Sequence, residues 1–115
     1  MSPLSTFLDD RVAALELPTL NTQTGTSYTT VGTDSGKLVG MNNAAANTLN
    51  IATGIHATGT QIMVRQLGAG QTTITCSGGT INSRGGALKL MGQYAYALVT
   101  CVAANTFEVT GDLTT

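Results

Sequence analysis

The sequence predicts an all-β protein, an antiparallel β-sandwich or partly closed barrel of about eight or nine short strands behind a short N-terminal helical arm. Three observations carry this. Apolar and polar residues alternate with a period of two through much of the chain after residue 26, as extended strands require. Gly, Asn, Asp and Ser recur between the alternating runs, where the chain must turn. Only residues 3–17 show a helical pattern instead, and Pro18 ends it.

The arm comes first. Pro3 suits a first helical turn, and Thr6-Phe7-Leu8-Asp9 has the form of a capping box. Leu4, Leu8, Val12 and Leu15 recur at helical spacing, with Phe7 beside that stripe. Asp9, Asp10, Arg11 and Glu16 fall on other faces. A helix of about twelve residues is marginal alone in water, so the stripe must pack on the β body, on copies of itself or on a partner. Leu4, Phe7, Leu8, Val12 and Leu15 are therefore the candidate docking and oligomerisation residues. Asn21–Thr26 contains no apolar residue and reads as a linker. The expected division is an arm over 1–20, a linker over 21–26 and a β domain over 27–115.

In the β domain, Ser27–Val31 and Lys37–Met41 read as strands around an Asp34-Ser35-Gly36 turn. Asn42–Ala46 reads as a loop, Asn47–Ile51 as a strand and residues 52–60 as a connecting loop. Gln61–Cys76 reads as a central hairpin, two strands joined at Gly68-Ala69-Gly70, with a positive φ expected at Gly68 or Gly70. Short strands follow at Thr80–Asn82 and Ala87–Met91. Gln93–Val102 alternates Tyr94, Tyr96 and Leu98 against Ala95, Ala97, Val99 and Cys101. Ala103-Ala104-Asn105 turns the chain into a closing strand, Thr106–Thr110.

A chain of 115 residues is long enough to bury a single core. Charged residues make up 10%, far below the usual ~25%, and Thr, Asn, Gln, Ser and Gly replace them. Neutral polar groups cost less to desolvate than charges, so this surface suits a protein that lies against others. It equally suits an ordinary β protein with Thr-rich outer faces. The net charge of −1, with scattered Lys37, Arg65, Arg84 and Lys89, argues against nucleic-acid binding. There is no run of ~18 apolar residues to span a membrane. No basic segment leads into an apolar run, so a cytosolic site of assembly is expected. Cys76 and Cys101 are too few and too far apart for a zinc site and are expected as free thiols.

The candidate chemistry is sparse. Gly68–Thr73 has glycines like a phosphate loop, but a Thr/Ile strand follows where a helix N-terminus would be needed. His56 is the sole histidine, and Asp34 is the sole acid near the middle of the chain. A loop histidine making ordinary hydrogen bonds explains His56 more simply than a triad. Asp34, Glu108 and Asp112 are isolated in sequence, unlike a glycosidase pair. Tyr94 and Tyr96 share a face and would form a sugar-stacking platform if exposed together; packing on the sheet is the commoner outcome. No catalytic residue, metal or cofactor is expected.

Several runs together resemble a known module. They are Ser27-Tyr28-Thr29-Thr30, Asp34–Val39, Met41–Ala44, Ala46–Leu49, Gly59–Ile62, Gly68–Ile74 and Gly92–Ala95, closing on Gly111-Asp112-Leu113. In this order they resemble a small β module of tailed-bacteriophage structural proteins, found in tail-fibre or appendage proteins and in small virion proteins. The pattern departs from that module at Ala52 and His56-Ala57-Thr58, where prolines are usual, and at Phe107, where Trp is common. The resemblance implies a non-enzymatic virion protein: a capsid decoration, cement or head-fibre protein that docks on the major capsid protein as a homo-oligomer, by analogy a trimer. The alternative it implies is a short tail appendage that recognises a host-surface glycan.

Overall fold

The computed structural model describes residues 18–115. The helical arm expected over residues 3–17, with Leu4, Phe7, Leu8, Val12 and Leu15, lies outside the described residues. The remainder is all-β, with eleven strands among the described residues. The first six are β1 (Leu20–Gln23), β2 (Ser27–Thr29), β3 (Leu38–Met41), β4 (Asn47–Asn50), β5 (Gln61–Gln66) and β6 (Thr72–Thr75). The rest are β7 (Thr80–Ser83), β8 (Lys89–Leu90), β9 (Tyr96–Ala103), β10 (Thr106–Gly111) and β11 (Leu113–Thr114). They form a six-stranded sheet in the order β1-β3-β5-β9-β10-β7 and a five-stranded sheet in the order β11-β8-β6-β4-β2.

From β1 to β6 the chain alternates between the sheets, so each odd–even pair forms one rung of a stack. β1, β3 and β5 are parallel to one another, as are β2, β4 and β6. The next rung, β8 then β9, runs antiparallel to β6 and β5. The last rung, β10 then β11, turns back again on β9 and β8. β7 closes the far edge of the six-stranded sheet, parallel to β10.

This architecture corrects two expectations. The body is not an antiparallel sandwich of eight or nine strands but a mixed one, in which parallel pairing dominates the first three rungs. Gln61–Cys76 is also not a hairpin: β5 and β6 lie in different sheets, and Gly68–Gly70 carries the chain across the corner between them. Alternation marks a strand but not its hydrogen-bonding partner, which explains both errors. β1 begins earlier than any expected strand, within residues read as arm and linker, and β11 was not expected at all.

Parallel stacking brings successive corners into backbone contact. Gly70 N–H donates to Asn43 O (2.9 Å), Leu67 N–H to Met41 O (2.8 Å) and Asn42 N–H to Gln23 O (2.8 Å). Neither Gly68 nor Gly70 is among the positive-φ glycines. They are needed for space: a Cβ on Gly70 would collide with the Ala45 carbonyl, and one on Gly68 with the Asn43 backbone. Amide side chains complete the corner. Asn47 Nδ2 donates to Ala45 O and Gly70 O, and Thr72 Oγ1 donates to Asn47 Oδ1 (2.6 Å). Gln66 Oε1 accepts from Thr72 N–H, and its Nε2 donates to Gly68 O (3.1 Å). Asn47, Gln66 and Thr72 are buried, and these bonds replace the water they lose.

Between the sheets lies one core. Val39, Met41, Ile62, Val64, Val99, Phe107 and Val109 enter from the six-stranded sheet, and Leu49, Ile74 and Leu90 from the other. Each full burial of such a side chain contributes about 1.5–3 kcal/mol. The two outer faces differ. Tyr28, Leu49 and Ile74 point inward, so the five-stranded sheet turns Ser27, Thr29, Thr48, Asn50, Thr73 and Thr75 outward. On the six-stranded sheet, Leu20, Leu38, Met63 and Leu98 line up across four strands on the outer side.

Close approach at the corner gives the first prediction. Gly70→Ala is expected to lower stability by about 1–3 kcal/mol through overpacking against backbone that cannot step aside. Gly32→Ala, at a position with open space and no positive φ, is expected to stay within about 0.5 kcal/mol of the parent. Urea denaturation of both variants checks this; equal stability for the two would refute the corner account.

Candidate functional site

The densest polar chemistry gathers where β2 returns to β3. A 3-10 turn at Gly32–Asp34 points the Asp34 carboxylate inward, and Asp34 is fully buried. Tyr28 Oη donates to Oδ2 (2.6 Å), Val31 N–H donates to the same oxygen (2.9 Å), and Asn21 Nδ2 donates to Oδ1 (2.8 Å). Burial alone pushes the Asp34 carboxyl up. The bonds from Tyr28, Val31 and Asn21, with the charge of Lys37, outweigh that and hold it below the usual carboxylate range. The Tyr28 hydroxyl is pushed up, first by burial and then by its bond to the carboxylate. Asn21 belongs to β1 and Tyr28 to β2, so the carboxylate ties both halves of the first rung to the return loop.

Beside it, Thr30 Oγ1 and His56 Nε2 lie 2.9 Å apart, and Ala52 N–H donates to the same hydroxyl (3.0 Å). The imidazole stands edge-on to Phe107, with centroids 6.1 Å apart. Burial pushes His56 below its ordinary value, and the Asp34 charge opposes that. Thr, His and Asp together have the composition of a nucleophile, a base and an orienting acid. Their geometry is different. Both Asp34 oxygens are taken by Tyr28, Val31 and Asn21, and Thr30 and His56 are 2% and 9% exposed. A substrate would have no approach to the hydroxyl. The arrangement is a latch that fastens the 51–60 loop to the end of β2 and to the core.

Two concavities lie on the surface of the six-stranded sheet. One, of about 340 Å³, is lined by Asn82, Ser83, Arg84, Thr100, Glu108, Val109 and Thr110. The other, of about 310 Å³, is almost wholly apolar and lies among Met63, Tyr96, Leu98 and Thr110. Tyr96 lines it and is exposed; Tyr94, two residues earlier, is 66% exposed with φ +69°. That φ sits in a turn closed by Ala95 N–H donating to Gly92 O (3.1 Å), where Gly or Asn is the usual occupant. Arg65 Nη1 reaches Tyr96 Oη at 3.5 Å.

Gly68–Thr73 is a corner between strands rather than a phosphate cradle, since β6 follows it. Cys76 and Cys101 are free thiols, Cys101 buried in β9. Among the described residues, no three His, Cys, Asp or Glu gather closely enough to hold a metal, and no helix is long and apolar enough to cross a membrane. Sequence reading missed Tyr28 and Asn21 as partners of Asp34, and Thr30 as partner of His56. Nothing in the local pattern signals those pairings, because the parallel register creates them. Comparison with family models and with curated proteins returns no match for this chain.

The Asp34 cluster gives a second prediction. Asp34→Asn keeps the shape but leaves one of the three donors facing a donor, and is expected to cost about 1–3 kcal/mol in thermal or urea unfolding. A third concerns pH. His56 is depressed in the folded state relative to its ordinary value of ~6.5, so the unfolded chain binds the extra proton first. Stability is therefore full above that value and is lost as pH falls through the folded one. Asp34, also depressed, adds a second loss below about pH 4. The thermal midpoint is expected to fall between pH 7.5 and 5, and His56→Gln to flatten that fall while leaving the more acidic one. A His56→Gln profile parallel to the parent would refute the assignment.

Proposed function

We propose that the chain is a bacteriophage virion structural protein, a capsid decoration, cement or head-fibre protein that docks on the capsid shell as an oligomer. The observation that carries the reading is the outer face of the five-stranded sheet. Ser27, Thr29, Thr48, Asn50, Thr73 and Thr75 form a neutral array over three parallel strands, with Lys89 paired to Thr73 at its margin. Hydroxyls and amides desolvate at lower cost than charges, so such a face lies readily against a protein lattice. The buried Asp34 and His56 latch, closed to substrate, supports a structural role over a catalytic one. The resemblance of residues 26–113 to phage virion modules supplies the particle, and the usual symmetry of such assemblies supplies the trimer, as analogy.

A second reading is a tail appendage that recognises a host-surface glycan. It rests on Tyr94, displayed at 66% exposure in a strained backbone conformation near Tyr96.

A binding assay on shells that lack the protein tests both. The decoration reading expects saturable binding at high copy number, reduced by Thr48→Asp/Thr73→Asp with the thermal midpoint preserved. Binding confined to a few tail sites and lost in Tyr94→Ala establishes the second reading. Failure to bind either part of the particle refutes both.

A further inference from the structure

We infer that the two concavities on the six-stranded sheet form one binding site for a small zwitterion, an α-amino acid with an apolar side chain. The inference does not rest on the virion reading. Val99, Phe107 and Val109 face the core, so Thr100, Glu108 and Thr110 face outward from the positions beside them. Glu108 is in register with Thr100 on β9 and with Asn82 on β7. These three side chains form a polar row, and Arg84, just after β7, completes the wall of the concavity of about 340 Å³. The next outward row, two residues along each strand, is Thr110, Leu98 and Met63. With Tyr96 it lines the apolar concavity of about 310 Å³. Thr110 lines both, so the polar and apolar hollows adjoin.

The charges decide the ligand. Arg84 and Glu108 line the same concavity, both are exposed, and among the described residues no ion pair joins them. Opposite charges held apart in one hollow match a ligand that carries both signs. A ligand carboxylate takes two parallel N–H bonds from the Arg84 guanidinium. A ligand ammonium donates to the Glu108 carboxylate, with the oxygens of Thr100 and Asn82 in the same row as further acceptors. A neutral sugar would leave both charges unpaired, a simple anion would meet Glu108, and a simple cation would meet Arg84. An α-amino acid holds its carboxylate and ammonium on one carbon. Its side chain is then free to cross Thr110 into the apolar hollow of Met63, Tyr96 and Leu98. An open site for a ligand of this size implies affinity in the millimolar range.

Backbone amide nuclear magnetic resonance on the full chain tests this, with L-phenylalanine, its N-acetyl derivative, its amide and the doubly blocked compound as probes. Free L-phenylalanine should produce saturable shifts at Asn82, Leu98, Thr100 and Glu108. Blocking either end should weaken binding about tenfold. Arg84 and Glu108 are exposed, so Arg84→Gln and Glu108→Gln should keep the parent's thermal midpoint. In Arg84→Gln, phenylalanine and its amide should bind alike. In Glu108→Gln, phenylalanine and its N-acetyl derivative should bind alike. Equal binding of the doubly blocked compound to the parent would overturn the proposal, because the apolar hollow alone would then hold the ligand. The absence of saturable shifts with any probe would also overturn it. A change in the Glu108 carboxylate signal of ligand-free Arg84→Gln would in that case show the two side chains pairing with each other. Saturable binding of glucose at the same amides, without binding of the amino acid, would overturn it in favour of glycan recognition.

Discussion

The structure depends on the close backbone approach of successive corners. Each forward rung crosses from one sheet to the other at the same end of the molecule, so the segment 67–71 must lie directly on 42–46. Parallel strands sit ~4.8 Å apart, and the corners must keep that spacing while the chain changes direction. Gly68 and Gly70 make this possible by presenting no Cβ to Asn43 and Ala45. Asn47, Gln66 and Thr72 then satisfy the buried carbonyls and N–H groups that a five-residue crossing leaves behind. Each amide or carbonyl left unpaired in this buried corner would cost about 1–3 kcal/mol.

The return side of the stack solves the same problem with side chains of another kind. There the connections are longer, over 30–37 and 51–60, and they are fixed by a buried carboxylate and a buried imidazole. Asp34 gathers donors from β1, β2 and its own loop, while the Thr30–His56 contact joins the next loop to them. These are the residues that chemistry-first reading singles out as catalytic candidates. Both are buried, Asp34 is paired at both oxygens and His56 through Nε2, and their depressed titration makes the fold sensitive to acid.

Local strand positions were readable from the sequence because alternation reports which face is buried. β3, β4, β5, β6 and β10 fall within a residue or two of where alternation places them, and the Asn105 turn joins β9 to β10 as expected. Pairing was not readable. Gln61–Cys76 has the pattern of a hairpin, and Gly68-Ala69-Gly70 has the composition of its turn, yet the same residues serve a corner between sheets. Glycine needed for close approach looks in sequence like glycine needed for positive φ. Leu20–Gln23 was missed because an edge strand with one apolar residue has no alternation to show. Tyr94 was placed in a strand and instead occupies a left-handed turn before β9, though both it and Tyr96 are exposed. Of the candidate site, the sequence pointed to His56 and Asp34 as unusual, but their partners Thr30, Tyr28 and Asn21 come only from the fold.

The central claim is that β5 pairs with β3 and β9, and β6 with β4 and β8, with the chain crossing between sheets at Gly68–Gly70. Nuclear Overhauser contacts between backbone protons in an isotope-labelled sample test it most directly. The account predicts contacts linking Val39 with Val64, Leu49 with Ile74 and Met63 with Leu98, following the registers of the two sheets. Cross-strand contacts running from Val64 and Gln66 to Thr72 and Ile74 in antiparallel register would make Gln61–Cys76 a hairpin after all and would contradict the stacked-rung fold.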